Sequence, residues 1–236
     1  MRLLVTRPAE DAARTAAAAA ARGHDPIIAP VIEIRPLKAD LPERPFQAVI
    51  VTSANALRAI AARPQVARLK DLPLVAVGGS TAETARLQAF SQIITAEGTA
   101  DSVLARISSN LAPEKGPLLH LSGDHLARDL AEALSPHGYE VVRAIVYEAV
   151  PAQALSAEAV TALKHGKVDA VALFSPRSAH LFGALVRHED LSTQAGDILW
   201  ACLSQNVADA AAEAGARHIV TAARPDETAL LEALDH

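Results

Sequence analysis

Short runs of β-branched and other apolar residues alternate along this chain with longer stretches in which Ala and Leu recur at helical spacing. Leu3–Thr6 reads as a strand, and Ala9 to Arg22 as a helix that Gly23 ends. Ala is the best helix former, so Ala16–Ala21 reads as a tightly packed helix face rather than a low-complexity tract. A long extended run follows at Ile27–Ile34. The pattern then predicts strands at Ala48–Thr52, Pro73–Gly78 and Gln92–Ala96, with helices from Asn55, Thr81 and Asp101. Pro117–Leu121 is a strand, Leu126–Leu134 a helix closed by Pro136, His137 and Gly138, and Glu140–Tyr147 a long strand. Asp169–Phe174, Ile198–Leu203 and His218–Ala222 are three further strands, each with a helix behind it. Strands and helices alternating at these lengths argue for parallel sheets covered on both faces.

The series repeats. Leu3–His24 aligns with Leu118–Tyr139 at an offset of 115 (Gly23 to Gly138). Val49–Ala54 aligns with Val171–Pro176 at 122, and Gln92–Ala96 with His218–Ala222 at 126. Two similar α/β domains are therefore expected. Ile27–Arg35 and Val141–Val150 exceed an ordinary strand of roughly 5–6 residues. Each is long enough to run out of one domain into the other, with Pro36, Leu37, Pro42, Pro45 and Pro151 read as linker positions.

Composition narrows the function classes. Half the 236 residues are hydrophobic, enough for sizeable cores. With 22 Lys and Arg against 27 Asp and Glu, the net charge is −5, the wrong sign for a general nucleic-acid binder. The single cysteine, Cys202, leaves no disulfide framework and no Cys-based metal site, and beside Trp200 it reads as a buried core thiol. Apolar stretches break well before the ~20 residues of a membrane span. The opening Met1–Pro8 meets charge and proline too soon for a signal-peptide core, so the chain is expected in the cytoplasm.

Ligands of parallel sheets sit beyond the carboxyl ends of the strands. Here those ends read Thr52-Ser53-Ala54-Asn55, Gly78-Gly79-Ser80-Thr81, Leu121-Ser122-Gly123-Asp124, Phe174-Ser175-Pro176-Arg177-Ser178 and Leu203-Ser204-Gln205-Asn206. Any one of them is an ordinary helix N-cap. Five, spread over both halves, point to a cleft between domains that receives phosphate or carboxylate on backbone N–H groups and helix dipoles. Gly78–Thr81 lacks the G-x-G-x-x-G spacing and the Walker lysine, so dinucleotide and NTP sites are unsupported. None of the nine histidines lies in an H-E-x-x-H, and His120 and His125, flanking a strand end, are expected to be structural or solvated; no metal site is expected. Tyr147 ends a long strand where a phenol either donates a proton to a ligand or packs at a core edge.

Taken in order, these segments resemble the uroporphyrinogen-III synthase family. The resemblance rests on Leu4–Pro8, Val51–Ala56, Ala76–Ala82, Gly98–Ala100, Leu121–Gly123 with Arg128, Val146-Tyr147 and Phe174–Ala179, and spans nearly the whole chain. It implies two flavodoxin-like, doubly wound parallel-sheet domains joined by a two-stranded linker, one of them discontinuous: 1–35 with 149–236, and 36–148. It also implies a cofactor-free, monomeric cyclising lyase. Its substrate would be hydroxymethylbilane, a linear tetrapyrrole with eight carboxylates, closed to uroporphyrinogen III with loss of water and inversion of ring D. On that basis Tyr147 is the expected catalytic acid. Arg7, Ser53, Ala54, Asn55, Gly78, Ser80, Thr81, Ser122, Gly123, Ser175, Pro176, Arg177, Ser178, Ser204 and Asn206 are the expected substrate contacts. Three positions depart from the pattern: Leu203 where a glycine like Gly78 is expected, Ser122 where arginine is common, and Phe174 where the first half has Thr52. The other reading open to these residues is a non-catalytic sensor or binding protein for an anionic metabolite, which gives Tyr147 no task.

Overall fold

A computed structural model describes residues 1–38, 40–97, 100–126 and 129–235. The chain forms two compact units, Met1–Glu33 with Val150–His236, and Ile34–Ala149.

The first unit opens with β1 (Arg2–Val5), α1 (Ala9–Ala21) and β2 (Asp25–Ile28). The second unit is entered through β3 (Ile32–Pro36), followed by β4 (Ala48–Val51), α2 (Ala54–Ile60), β5 (Pro73–Val77), α3 (Gly79–Leu87), β6 (Gln92–Ala96) and α4 (Ala100–Asn110). It continues through β7 (Leu118–Gly123) and α5 (Leu130–Leu134) to β8 (Val141–Pro151). The first unit then resumes with α6 (Ala157–Lys164), β9 (Ala170–Leu173), α7 (Pro176–His188), α8 (Ser192–Asp197), β10 (Leu199–Cys202), α9 (Gln205–Ala214), β11 (His218–Thr221) and α10 (Glu227–Glu232).

The sheet of the first unit runs β2-β1-β9-β10-β11, all parallel, with Leu3 opposite Ala170 and Leu199 opposite His218. That is the flavodoxin-like order 2-1-3-4-5. The second sheet runs β3-β8-β7-β4-β5-β6. Counted from β7 instead of β4, its last five strands give the same order, with β3 added at the edge. The second unit is thus a circularly shifted version of the first. The shift pairs β1 with β7, β9 with β4 and β11 with β6, the same pairs that align in the sequence.

Alternation along the strands builds a core on each face. In the first unit Leu4, Val171, Trp200 and Cys202 face α6, α7 and α9, while Leu3, Val5, Ala170 and Ala201 face α1 and α10. In the second, Val49, Val51, Leu119 and Leu121 meet α2 and α3, and Ala48, Ile50 and Leu118 meet α4 and α5. The Ala-rich α1 buries Ala12, Ala16 and Ala19 on the side turned to the sheet. Cys202 is fully buried, and burial pushes its thiol up to about 12, so it is a core residue.

Several boundaries differ from the sequence pattern. The run Ile27–Ile34 is two strands in different sheets. Ala29 and Val31 donate to the carbonyls of Val5 and Thr6 on either side of Pro30, and the chain then leaves the first sheet. Pro36 and Pro151 end β3 and β8 instead of lying in loops. Pro36 is tolerated because β3 is an edge strand, where a missing N–H costs no ladder bond. The helix expected over Leu126–Leu134 is α5, begun at Leu130 because Asp129 Oδ1 accepts from the N–H groups of Ala131 at 2.8 Å and Glu132 at 3.4 Å. β3 and β8 run antiparallel: Leu37 N–H donates to Val146 O and Ala152 N–H to Val31 O, one residue number rising as the other falls. No helix of the described residues is long and apolar enough to cross a membrane.

Candidate active site

The expected contact residues all lie at or just beyond carboxyl ends of sheet strands, but their local chemistry separates them. Ser53 begins α2, its Oγ accepting from Asn55 N–H at 3.2 Å, and the buried Asn55 in turn accepts from Arg58 at 2.8 Å. Ser175 and Ser178 form a capping box at the start of α7, each side chain accepting from the other's backbone N–H at 3.1 Å, with Pro176 at the first helical position. Ser53 and Ser175 therefore act as N-caps, and Ser178 completes the capping box from the third helical position. Arg177 is half-buried beside them and Pro176 is exposed.

The other two helix starts are different. At α3 the N-cap is Gly78, with φ +87° and no side chain, and Thr81 is buried in the first turn behind the half-exposed Ser80. At α9, Ser204 is the N-cap in an extended conformation that makes no side-chain cap bond, and Asn206 is exposed. Both helices therefore present first-turn N–H groups that no cap side chain satisfies, the chemistry that suits an incoming carboxylate. Leu203 stands where Gly78 has its counterpart and still leads into such a helix start. Ala54 is buried at the start of α2.

Arg7, beyond β1, is committed to its own unit. Its guanidinium lies 4.6 Å above the Phe174 ring, donates to Glu227 Oε2 at 2.7 Å and sits 3.5 Å from Asp11. Glu227 also accepts from Thr15 at 2.7 Å and Arg14 at 3.3 Å. Burial lowers the Arg7 pKa, opposed by the two carboxylates, and an arginine stays protonated under that balance. Phe174, which replaces a polar residue in the repeat, is thus the platform on which Arg7 rests.

Ser122, Gly123 and Tyr147 form one structure. Down β7 and β8, Ser122 pairs with Ile145, yet Gly123 pairs with Tyr147: the register shifts by one residue. This β-bulge sets Val146 and Tyr147 toward the same core, breaking the alternation that holds from Ala144 to Val146. The phenol comes to rest on Gly123. A Cβ there would meet Tyr147 Cζ at 2.6 Å, so only glycine fits. The Ser122 hydroxyl is buried, accepts from Arg143 Nε at 2.9 Å and donates to Gly123 O at 3.0 Å. Its role is internal to the strand end.

Arg143 and Glu227 carry no motif signal in the sequence, and Asp124 enters there only as the last residue of a strand-end turn; each looks like an ordinary surface charge until the strands are paired. His120 is buried in β7 without a partner for Nε2, and desolvation, helped by nearby Arg143, pulls its pKa down to about 4. His125 is exposed, 3.5 Å from Asp124. Gly98, Thr99 and Arg128 lie outside the described residues, as do the side-chain contacts of Ala100. Among the described residues no three His, Cys, Asp or Glu side chains gather to hold a metal ion.

Fold and strand ends together define a two-unit, flavodoxin-like α/β protein with neutral N–H donors and hydroxyls where a ligand of parallel sheets binds. A family model described as uroporphyrinogen-III synthase HemD matches residues 13–232. The chain belongs to the uroporphyrinogen-III synthase family, the cyclising hydro-lyases of tetrapyrrole synthesis. Among solved structures, uroporphyrinogen-III synthetase from Helicobacter pylori is similar at 21% identity, covering 99% of this chain and 98% of that one, with a TM-score of 0.68. A mutant uroporphyrinogen III synthase from Thermus thermophilus is similar at 18% identity, covering 99% and 97%, with a TM-score of 0.53. Comparison with curated proteins gives no significant match.

Proposed function

We propose that this chain closes hydroxymethylbilane to uroporphyrinogen III, with Tyr147 as the acid that assists departure of the hydroxyl. The observation that carries the reading is the family match over residues 13–232, nearly the full chain. In the reaction, a pyrrole nitrogen expels the terminal hydroxyl, which leaves as water once protonated. The resulting azafulvene is attacked by the substituted carbon of ring D. That carbon's older bond to the bridge from ring C then breaks, and the bridge re-bonds at ring D's free α-carbon, which gives up its proton, so that ring D ends inverted. No protein nucleophile is required. The protein's task is to hold a flexible chain so that its two ends meet, a form of catalysis that reaches about 7–11 kcal/mol in favourable cases. A weak acid at the leaving group adds roughly 10²–10⁴-fold.

Eight carboxylates call for many donors rather than a basic protein, in keeping with a net charge of −5. The uncapped starts of α3 and α9 (Gly78, Ser80, Thr81, Ser204, Asn206) are the first receptors in this reading. Arg177 adds a charge-assisted bond. Ser53, Ala54, Asn55, Ser175, Pro176 and Ser178 shape the neighbouring turns, and Arg7 contributes by exchanging one carboxylate for another. Gly123 and Ser122 serve by placing Tyr147. The two compact units are the two domains of this enzyme, which works without a cofactor as a monomer in the cytoplasm.

The test is incubation with enzymatically generated hydroxymethylbilane and separation of the product isomers. Uroporphyrinogen III is expected; type I alone, the product of spontaneous closure, would remove the activity. Sedimentation should give one species near 24.7 kDa.

A further inference from the structure

The bulge that turns Tyr147 onto Gly123 does not stand unsupported. Arg143, four residues earlier on β8, reaches across to the end of β7. Its Nε donates to Ser122 Oγ at 2.9 Å, and its Nη2 donates to the carbonyls of Gly123 at 2.6 Å and Asp124 at 2.7 Å. One planar fork thus holds three successive residues, a geometry a lysine cannot reproduce. From the other side Asp124 closes the loop: its N–H donates to Tyr147 O at 3.0 Å and its Oδ1 accepts from Ala149 N–H at 2.9 Å. The residue that leaves the ladder out of step therefore sits between two braces, one before it and one after it.

We infer that Arg143 and Asp124 are positioning residues that fix the β7–β8 bulge and so aim the Tyr147 phenol. The inference rests on the proposed role of Tyr147. It adds that the aim is set by two charged side chains, Arg143 on β8 and Asp124 just past β7, that touch no expected contact of the substrate except through backbone and Ser122. Return to regular pairing would be a one-residue register step, which sends each following side chain to the opposite face. The braces make that step costly: moving Gly123 opposite Val146 would break the Asp124 bond to Tyr147 O.

The chain has two tyrosines, Tyr139 and Tyr147, both in the second unit. Tyr139 is buried with its hydroxyl donating to Leu111 O at 2.9 Å. Protein labelled with 3-fluorotyrosine therefore gives two ¹⁹F resonances, assigned by Tyr147→Phe, with Tyr139 as an internal report on folding. In Arg143→Gln and Arg143→Lys the Tyr147 resonance should shift or broaden while that of Tyr139 stays in place. Both variants should lose about ten- to a hundredfold in kcat, the scale of a small misplacement, with KM within about twofold. Should Arg143→Gln move both resonances to unfolded positions, Arg143→Lys, which keeps the charge, carries the test. A Tyr147 resonance unchanged in Arg143→Lys, or kcat within twofold of the parent with that resonance shifted, overturns the inference. Failure of the acid role is seen separately, as full activity in Tyr147→Phe.

Discussion

The phenol of Tyr147 packs directly against Gly123: a methyl group at that position would stand 2.6 Å from its Cζ and 2.9 Å from its oxygen. Gly123→Ala must therefore displace the ring or spread the strands. Overpacking of this kind costs about 1–3 kcal/mol, and with the proposed acid displaced kcat should fall toward that of Tyr147→Phe. Chemical denaturation and steady-state assay of the two variants side by side check this; an Ala variant as active as the parent would contradict the contact.

Glu227 holds Arg7 as a substrate carboxylate would. Glu227→Gln should lower stability by roughly 1 kcal/mol, the upper range for a partly exposed ion pair. In the proposed role of Arg7 as a substrate contact, its release should also lower KM by roughly two- to fivefold, the scale of a partly exposed ion pair. Melting curves and initial rates read the two effects; an unchanged or higher KM would leave Arg7 as a structural residue only.

His120 makes the native state sensitive to mild acid. Unfolded, its imidazole titrates near 6.5; folded, it titrates near 4. Between those values the unfolded chain binds more protons, so the contribution is complete above about pH 6.5 and is lost as pH falls toward 4, up to roughly 3 kcal/mol. Urea unfolding at pH 7 and pH 5 should show the loss, and His120→Leu should flatten it. Asp226 and Asp235, whose pKa values are lowered by a backbone N–H of Ala229 and by Arg22 respectively, come into play only at lower pH.

Gly183 sits mid-helix in α7 against α9. Helix propensity favours Ala there by about 1 kcal/mol, but its Cβ would meet Ala214 Cβ at 2.7 Å and Ala214 O at 2.8 Å. Gly183→Ala should therefore destabilise, by roughly 1–3 kcal/mol, where propensity alone predicts a gain. Thermal unfolding decides the sign.

Much of this architecture is written locally. Leu3–Val5 and its repeat at Leu118–Leu121 announce their strands, and the turns at Ser53, Gly78, Ser175 and Ser204 mark the ligand ends of the sheets. What the chain does not state locally is pairing. That the second sheet begins its order at β7 emerges only from long-range register. The apolar run through Ala29 and Val31 has no polar break to show where one sheet hands over to the other; only Pro30 hints at it. The bulge at Val146-Tyr147 is invisible too, since it depends on a cross-strand partner, Gly123, and on Arg143, whose spacing on β8 looks like ordinary alternation. Likewise Ser122 reads as a ligand-facing hydroxyl until the guanidinium that claims it is in view.

The interrupted course of the first unit bears on how the polypeptide is made. Arg2 N–H donates to Asp169 at 2.6 Å, across 167 positions of sequence. At ribosomal speeds of about 5–20 residues per second, the opening strand, already paired with β2, waits on the order of ten to thirty seconds for β9 on its other side. Throughout that delay one edge of the nascent β1–α1–β2 hydrophobic layer is open to chaperones or to other chains, while the uninterrupted segment Ile34–Ala149 has already emerged whole. Birth order in this enzyme is thus inverted: the piece translated first is completed last.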